Sequence, residues 1–165
     1  MRKLGQAVAG RIPSGPTRCL NFPKYENANM THFTSSPITE VIVCTTCRPP
    51  GVSRDEPAAG EMLFEAVQTA QSTDVTGQWG RVRVRGMACL NSCSRACTVA
   101  FQAHGKHSYL FGDLTPGAGL AEQVLACARM HADASDGTLV RNERPEGLRN
   151  GILAKLPPPL EPALP

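Results

Sequence analysis

No apolar run in the chain approaches about 18 residues, the length a helix needs to cross a bilayer, so no membrane span is predicted. Aromatic residues make up only 5% of the sequence, and nowhere do they interleave with clustered Lys and Arg. With a net charge of only +3, this excludes a nucleic-acid-binding surface of the usual kind. No Gly-rich phosphate loop and no Ser/His/Asp constellation is present, and no internal repeat. Asp113, Glu122 and Asp133 form no pair suited to general acid–base work. The start, Met1-Arg2-Lys3-Leu4, is basic like an export signal, but Gly5, Gln6, Arg11 and Pro13 break any apolar core behind it. The expected compartment is therefore the cytoplasm, where thiols stay reduced.

What the chain does have is cysteine. Seven are present among 165 residues, an odd number that argues against full pairing. In a reducing compartment such residues are ligands or reactive groups rather than a disulfide framework. Cys89, Cys93 and Cys97 fall within nine residues, after the alternating run Arg81-Val82-Arg83-Val84-Arg85 and before the apolar run Thr98-Val99-Ala100-Phe101. A second group, Cys44-Thr45-Thr46-Cys47, directly follows Val41-Ile42-Val43. Two Cys groups, each at the end of a predicted strand, suit a site for a metal ion or an iron–sulfur cluster. Soft, anionic thiolates bind both strongly. Four of them hold either a [2Fe–2S] cluster or one tetrahedral zinc. Cys44 and Cys47 provide one pair, Cys89 and Cys93 the other, and Cys97 is a spare that could replace Cys47 as the fourth ligand.

The rest of the chain supplies a scaffold. Residues 1–38, rich in Gly, Pro, Ser, Thr and Asn and without periodicity, read as a disordered tail. Cys19 lies there as an exposed thiol without a role. Met30 is an alternative start that would leave the domain complete. The domain itself spans 39–156, and a Pro-rich tail follows at 157–165. Glu40 to Val43 reads as a strand buried on both faces, Glu61 to Gln71 as a helix with Met62, Leu63, Ala66, Val67 and Ala70 on its apolar face. In Arg81 to Arg85 the valines face one way and the arginines line a solvated face. Thr98 to Gln102 and Ser108 to Phe111 form a hairpin about Ala103-His104-Gly105-Lys106. Thr115 and Pro116 look like the start of a last helix, to about Ala132, with Leu120, Val124, Leu125 and Ala128 on its core face. Cys127, near that stripe, reads as a small buried hydrophobe. His104 reads as solvated, and His107 and His131 as ligands only in principle. The order is β-α-β-β-β-α: an α/β domain of thioredoxin-like fold with a mixed four-stranded sheet. Both Cys groups would emerge at the same end of that sheet, because each follows a strand of the parallel pair.

Here a resemblance enters. The stretch 84–94, "VRGMACLNSCS", then "TVAF", then "YLFGDLTPGAGLAEQVL", resembles the thioredoxin-like [2Fe–2S] ferredoxins. Those proteins carry a Cys-x₃-Cys pair after the second strand, an apolar hairpin, and a Gly and Thr-Pro before the last helix. "CTTCR" and "ACLNSCSRACTVA" are similar, more closely still, to a family of bacterial proteins described as predicted metal-binding. The resemblance covers about residues 39 to 156. It implies Cys44 as the first cluster ligand and Cys89 and Cys93 as the third and fourth. The ferredoxins place the second ligand about ten residues after the first, where this chain has no Cys, and Cys47 stands in. The resemblance further implies a [2Fe–2S] electron carrier with a redox partner protein, and leaves room for a homodimer. Zinc held for structure or delivery is the alternative. A second alternative is a thiol–disulfide oxidoreductase using Cys44 and Cys47. Two features oppose it: Arg48-Pro49-Pro50-Gly51 prevents a helix from starting behind the pair, and no Pro precedes the third strand. The expectation is an electron-transfer or metal-binding protein rather than an enzyme.

Overall fold

The structure, a computed structural model, describes residues 38–160. The expectations for the tail, for Cys19 and for Met30, and for residues 161–165, lie outside these. The strands are β1 (Thr39–Cys44), β2 (Val82–Met87), β3 (Val99–Gln102), β4 (Ser108–Phe111) and β5 (Ile152–Leu156); the helices are α1 (Ala59–Ser72) and α2 (Leu120–Asp133). They form one sheet in the order β2-β1-β3-β4-β5. β1 and β2 run parallel, with Val41 beside Val84 and Cys44 beside Met87. The other neighbours are antiparallel. The β2-β1-β3-β4 order with α1 inside the parallel crossover and α2 after the hairpin is the thioredoxin-like arrangement expected from the sequence.

The core follows from alternation. Val41, Val43, Val99, Phe101, Tyr109 and Phe111 point to one side of the sheet, where α1 and α2 pack on each other and on β1 and β2. Phe101 and Phe111 pack tilted against each other, with centroids 5.3 Å apart. Burying an aromatic or aliphatic side chain of this size contributes about 1.5–3 kcal/mol each, so this face alone accounts for most of what holds the sheet to its helices. Cys127 is fully buried among these residues. Burial pushes its thiol up to about 12.

Three expectations are corrected. The sheet has a fifth strand, β5, paired to the outer edge of β4. Its residues are half-buried or exposed and do not alternate, so no period of two marks it. The last helix begins at Leu120 rather than at Thr115-Pro116. Gly119, with φ +81°, takes a left-handed turn there, and Leu120 N–H closes a turn onto Gly117 C=O at 3.2 Å. The apolar face of α1 is Leu63, Phe64, Val67 and Ala70, while Met62 is 50% exposed.

Two buried polar residues tie α2 to the sheet. The hairpin turn leaves Lys106 only 2% exposed. Its Nζ donates to the carbonyls of His131 (3.0 Å), Ala132 (2.7 Å) and Ala134 (2.7 Å), satisfying the bare end of α2 and meeting the negative end of its dipole. Lys106→Met keeps the apolar stem and removes these bonds. A loss of about 2–3 kcal/mol is expected, read as a lower urea midpoint at unchanged slope. It stays below the sum of three bonds because the buried ammonium's desolvation cost goes too.

His131 is fully buried, not a free ligand. Its Nε2–H donates to His107 C=O at 2.8 Å, so Nδ1 is bare and accepts from the Thr39 hydroxyl at 2.8 Å. The ring is neutral. Burial, with help from the positive charge of Lys106 and against the bond to His107 C=O and the negative charge of Asp136, holds its pKa below the ordinary 6.5. Below pH 6.5 the unfolded chain therefore takes up a proton that the folded one refuses. The stability His131 confers is present above that pH and falls as pH drops toward its folded pKa, by at most about 1.4 kcal/mol per pH unit. Urea midpoints from pH 8 to 5.5 should fall more steeply in the native protein than in His131→Gln; parallel curves would remove His131 as the cause.

Candidate metal centre

Each Cys group sits where a strand of the parallel pair ends. β1 stops at Cys44 because Thr45 and Thr46 turn outward and latch onto the neighbouring loop. The Thr45 N–H donates to Met87 C=O at 2.8 Å, and the Thr46 hydroxyl donates to Ala88 C=O. The backbone just before Cys47 is thereby tied to the backbone just before Cys89. Cys44 N–H donates to Thr98 C=O at 3.1 Å, and Cys97 N–H to Leu114 C=O at 3.0 Å, so the segment before β3 closes the same end of the sheet. The peptide bond Ala96–Cys97 is cis. Across the rim Arg95 pairs with Asp113, an exposed pair of little energetic weight.

The thiols form two layers. Cys44, Cys47 and Cys97 are buried, while Cys89 and Cys93 are exposed. Cys44 and Cys47 lie on one turn after β1 and Cys89 and Cys93 on the loop after β2, with Cys97 just before β3 at the same end of the sheet. Among the described residues, no three His, Cys, Asp or Glu side chains are already drawn together as a metal-binding group. The arrangement is two pairs facing each other, not one closed set.

The surroundings of the sulfurs are polar in a directed way. The Cys44 sulfur lies 3.9 Å from both the Thr46 hydroxyl and Ala88 C=O. Asn91 N–H donates to the Cys89 sulfur at 3.2 Å. The Thr98 hydroxyl, itself fully buried, lies 3.3 Å from the Cys47 sulfur. Burial works to raise the Cys44 thiol, but its bonds from Cys47, Leu90 and Thr46 outweigh it and hold the pKa below the ordinary value. Burial, then the adjacent Cys44, pushes Cys47 up to about 11. Burial, then Cys47 and Cys44, pushes Cys97 to about 11. The bond from Cys89 and its charge raise Cys93. Among the inner thiols, Cys44 is thus readied for charge while Cys47 and Cys97 resist it.

Of the residues singled out in the sequence, Cys44, Cys47, Cys89, Cys93 and Cys97 meet at this end of the sheet. His131 and Cys127 lie in the core, and His104 is exposed in the hairpin turn. His107 sits at the far side of the core, its Nδ1 3.0 Å from Asp136 C=O. The guanidinium of Arg85 pairs with Glu40 at 2.9 Å on the open face of the sheet. Sequence reading passed over Thr46 and Thr98, and also Gly60. The N–H of Gly60, in the first turn of α1, donates to Cys47 C=O at 3.0 Å. Thr46 and Thr98 had only adjacency to the Cys groups as a signal, and Gly60 had none. Outside the thiols, a groove of about 610 Å³ lined by Thr46, Arg48, Pro49, Val52, Arg54 and Cys93 opens onto the site.

Fold and site together define a thioredoxin-like α/β domain with two facing cysteine pairs at one end of its sheet. The chain belongs to the family described as "Protein of unknown function (DUF1636)", which it matches over residues 41–158. No curated protein matches it. Among solved structures it is similar to a thioredoxin-like [2Fe–2S] ferredoxin from Aquifex aeolicus. There the identity is 19%, 75% of this chain and 98% of that chain are covered, and the TM-score is 0.44. A second structure, of the wild-type ferredoxin from the same organism, gives 18% identity, 71% and 97% coverage, and a TM-score of 0.43. No helix among the described residues is long and apolar enough to cross a membrane.

Proposed function

We propose that Cys44, Cys47, Cys89 and Cys93 hold a [2Fe–2S] cluster and that the protein carries single electrons to and from a partner protein in the cytoplasm. The observation that carries this reading is the meeting of two cysteine pairs at one end of the sheet with polar groups at their sulfurs: Asn91 N–H donates to the Cys89 sulfur at 3.2 Å, and the Thr98 and Thr46 hydroxyls lie 3.3 Å from Cys47 and 3.9 Å from Cys44. Such bonds stabilise charged sulfur, and they set the potential of clusters bound by thiolates. The donors also fit in kind and number: four soft sulfurs, two from each of two loops tied together through Thr45 and Thr46. When bound, the cluster would supply a one-electron couple. The chain's own part is to hold the four sulfurs, direct polar groups at them, and keep Cys44 and Cys47 from water while Cys89 and Cys93 face outward.

Exchange chemistry at Cys44 and Cys47 is disfavoured. Both are almost fully buried, at 1% and 2% exposure, and although the first turn of α1 rests on their turn, its Gly60 N–H is taken by Cys47 C=O rather than by a sulfur. Anaerobic purification followed by a visible spectrum and metal analysis tests the reading. About two iron and two sulfide per chain, with absorption in the visible range, is expected. A colourless protein with one zinc would replace the cluster by a tetrahedral metal site on the same sulfurs.

A further inference from the structure

The two thiol layers differ in more than depth. After β2 the chain reverses through Asn91, whose φ of +57° is a left-handed conformation that Asn adopts more readily than most residues. Arg95 N–H then closes the short helical turn Cys93–Arg95 onto Ser92 C=O at 2.9 Å. The reversal carries Cys93 back towards Cys89, four positions earlier, and both thiols are open to solvent. Cys44, Cys47 and Cys97, at 1%, 2% and 0% exposure, are out of reach of a dissolved disulfide.

We infer that Cys89 and Cys93 form a reversible disulfide with a small-molecule disulfide such as oxidised glutathione, while the three buried thiols stay reduced. One of the pair attacks the glutathione disulfide as thiolate, its proton going to solvent. One glutathione leaves as thiolate, and a mixed disulfide forms on the protein. The second cysteine, also as thiolate, attacks the protein sulfur of that bond and expels the second glutathione. Two cysteines are oxidised by two electrons, one glutathione disulfide is reduced to two thiols, and the protons lost by the protein end on them. Adjacent sulfurs on one turn favour the internal bond over a lasting mixed disulfide, because the second step is intramolecular. On the four-thiolate reading above, this bond removes the outer half of the ligand set, so the site loads only under reducing conditions.

The test uses full-length protein, stripped of metal, reduced, and then treated with oxidised glutathione at about pH 8. The expected product is lighter by about two mass units. Peptide mapping should find the bond between Cys89 and Cys93, with Cys44, Cys47 and Cys97 still available to alkylation after unfolding. Dithiothreitol should reverse it, and Cys89→Ser should instead keep a glutathione on Cys93. A bond involving Cys44, Cys47 or Cys97 would overturn the inference, as would stable glutathione on both outer cysteines or no reaction at all. Zinc and iron–sulfide uptake by the oxidised and reduced forms separates this outcome from the fate of the ligand reading. If the bond forms and uptake is unchanged, the disulfide stands and Cys89 and Cys93 are not ligands. If reduced protein takes up metal and no bond forms, the ligand reading stands and the disulfide falls.

Discussion

Gly60→Ala should lower stability by about 3 kcal/mol and empty the metal site at the same time. A Cβ at this position would lie 2.0 Å from Cys44 C=O and 3.1 Å from both Cys47 Cβ and Cys47 N. The first contact is with backbone at the very end of β1, which its ladder to β2 holds in place. Gly60 has no left-handed φ, so the effect is purely one of close approach: the first turn of α1 sits directly on the Cys44–Cys47 turn. To admit one methyl group, either α1 or that turn must shift, and both carry the site. For a domain of this size a fall in Tm on the order of 10 °C corresponds to such a loss. Gly117→Ala is the control, because a Cβ there meets only Thr115 C=O at 4.0 Å and should change stability by less than about 0.5 kcal/mol. Equal melting temperatures for Gly60→Ala and the native protein would mean that α1 does not rest on the cysteine turn as described.

Cys93→Ser should reduce bound iron from about two per chain to near zero, while Cys127→Ser leaves it unchanged. The contrast follows from position: Cys93 is exposed at the end of the sheet where Cys44 sits, whereas Cys127 is sealed in the core on the buried face of α2. A hard hydroxyl is a poor substitute for a soft thiolate, and a site with two exposed sulfurs has no reserve on its outer side. On the inner side it has one, Cys97, which lies against both Cys47 and Cys44. Comparing Cys47→Ser with Cys97→Ser therefore identifies the fourth ligand: the variant that loses iron carries it. Full iron occupancy in Cys93→Ser would rule out the outer pair. Metal content and the visible spectrum read all four variants, and far-ultraviolet dichroism separates loss of metal from loss of fold.

Much of this architecture was legible beforehand. Val41-Ile42-Val43 reads as a buried strand, Ser108–Phe111 as the second arm of a hairpin, and Leu120, Val124, Leu125 and Ala128 as one helix face, because the period of side-chain burial follows directly from strand and helix geometry. β5 was not, since Ile152–Leu156 forms an edge strand with no alternation to betray it. The start of α2 was misplaced because Thr115-Pro116 has the local chemistry of a helix start. Gly117 and Gly119 then delay the helix by a turn that only the packed chain reveals.

By itself, then, the sequence determined the order of the elements from β1 to α2 and which thiols follow which strands, since both are properties of neighbours along the chain. Tertiary structure alone decided the depth of each thiol, the polar groups that face the sulfurs, and the contact of Gly60 with Cys44. It also decided the burial of Lys106 beneath an α2 terminus 25 or more positions away. These depend on contacts between segments far apart in the chain, and such contacts are set by how the helices and loops close over one sheet. No local pattern encodes them.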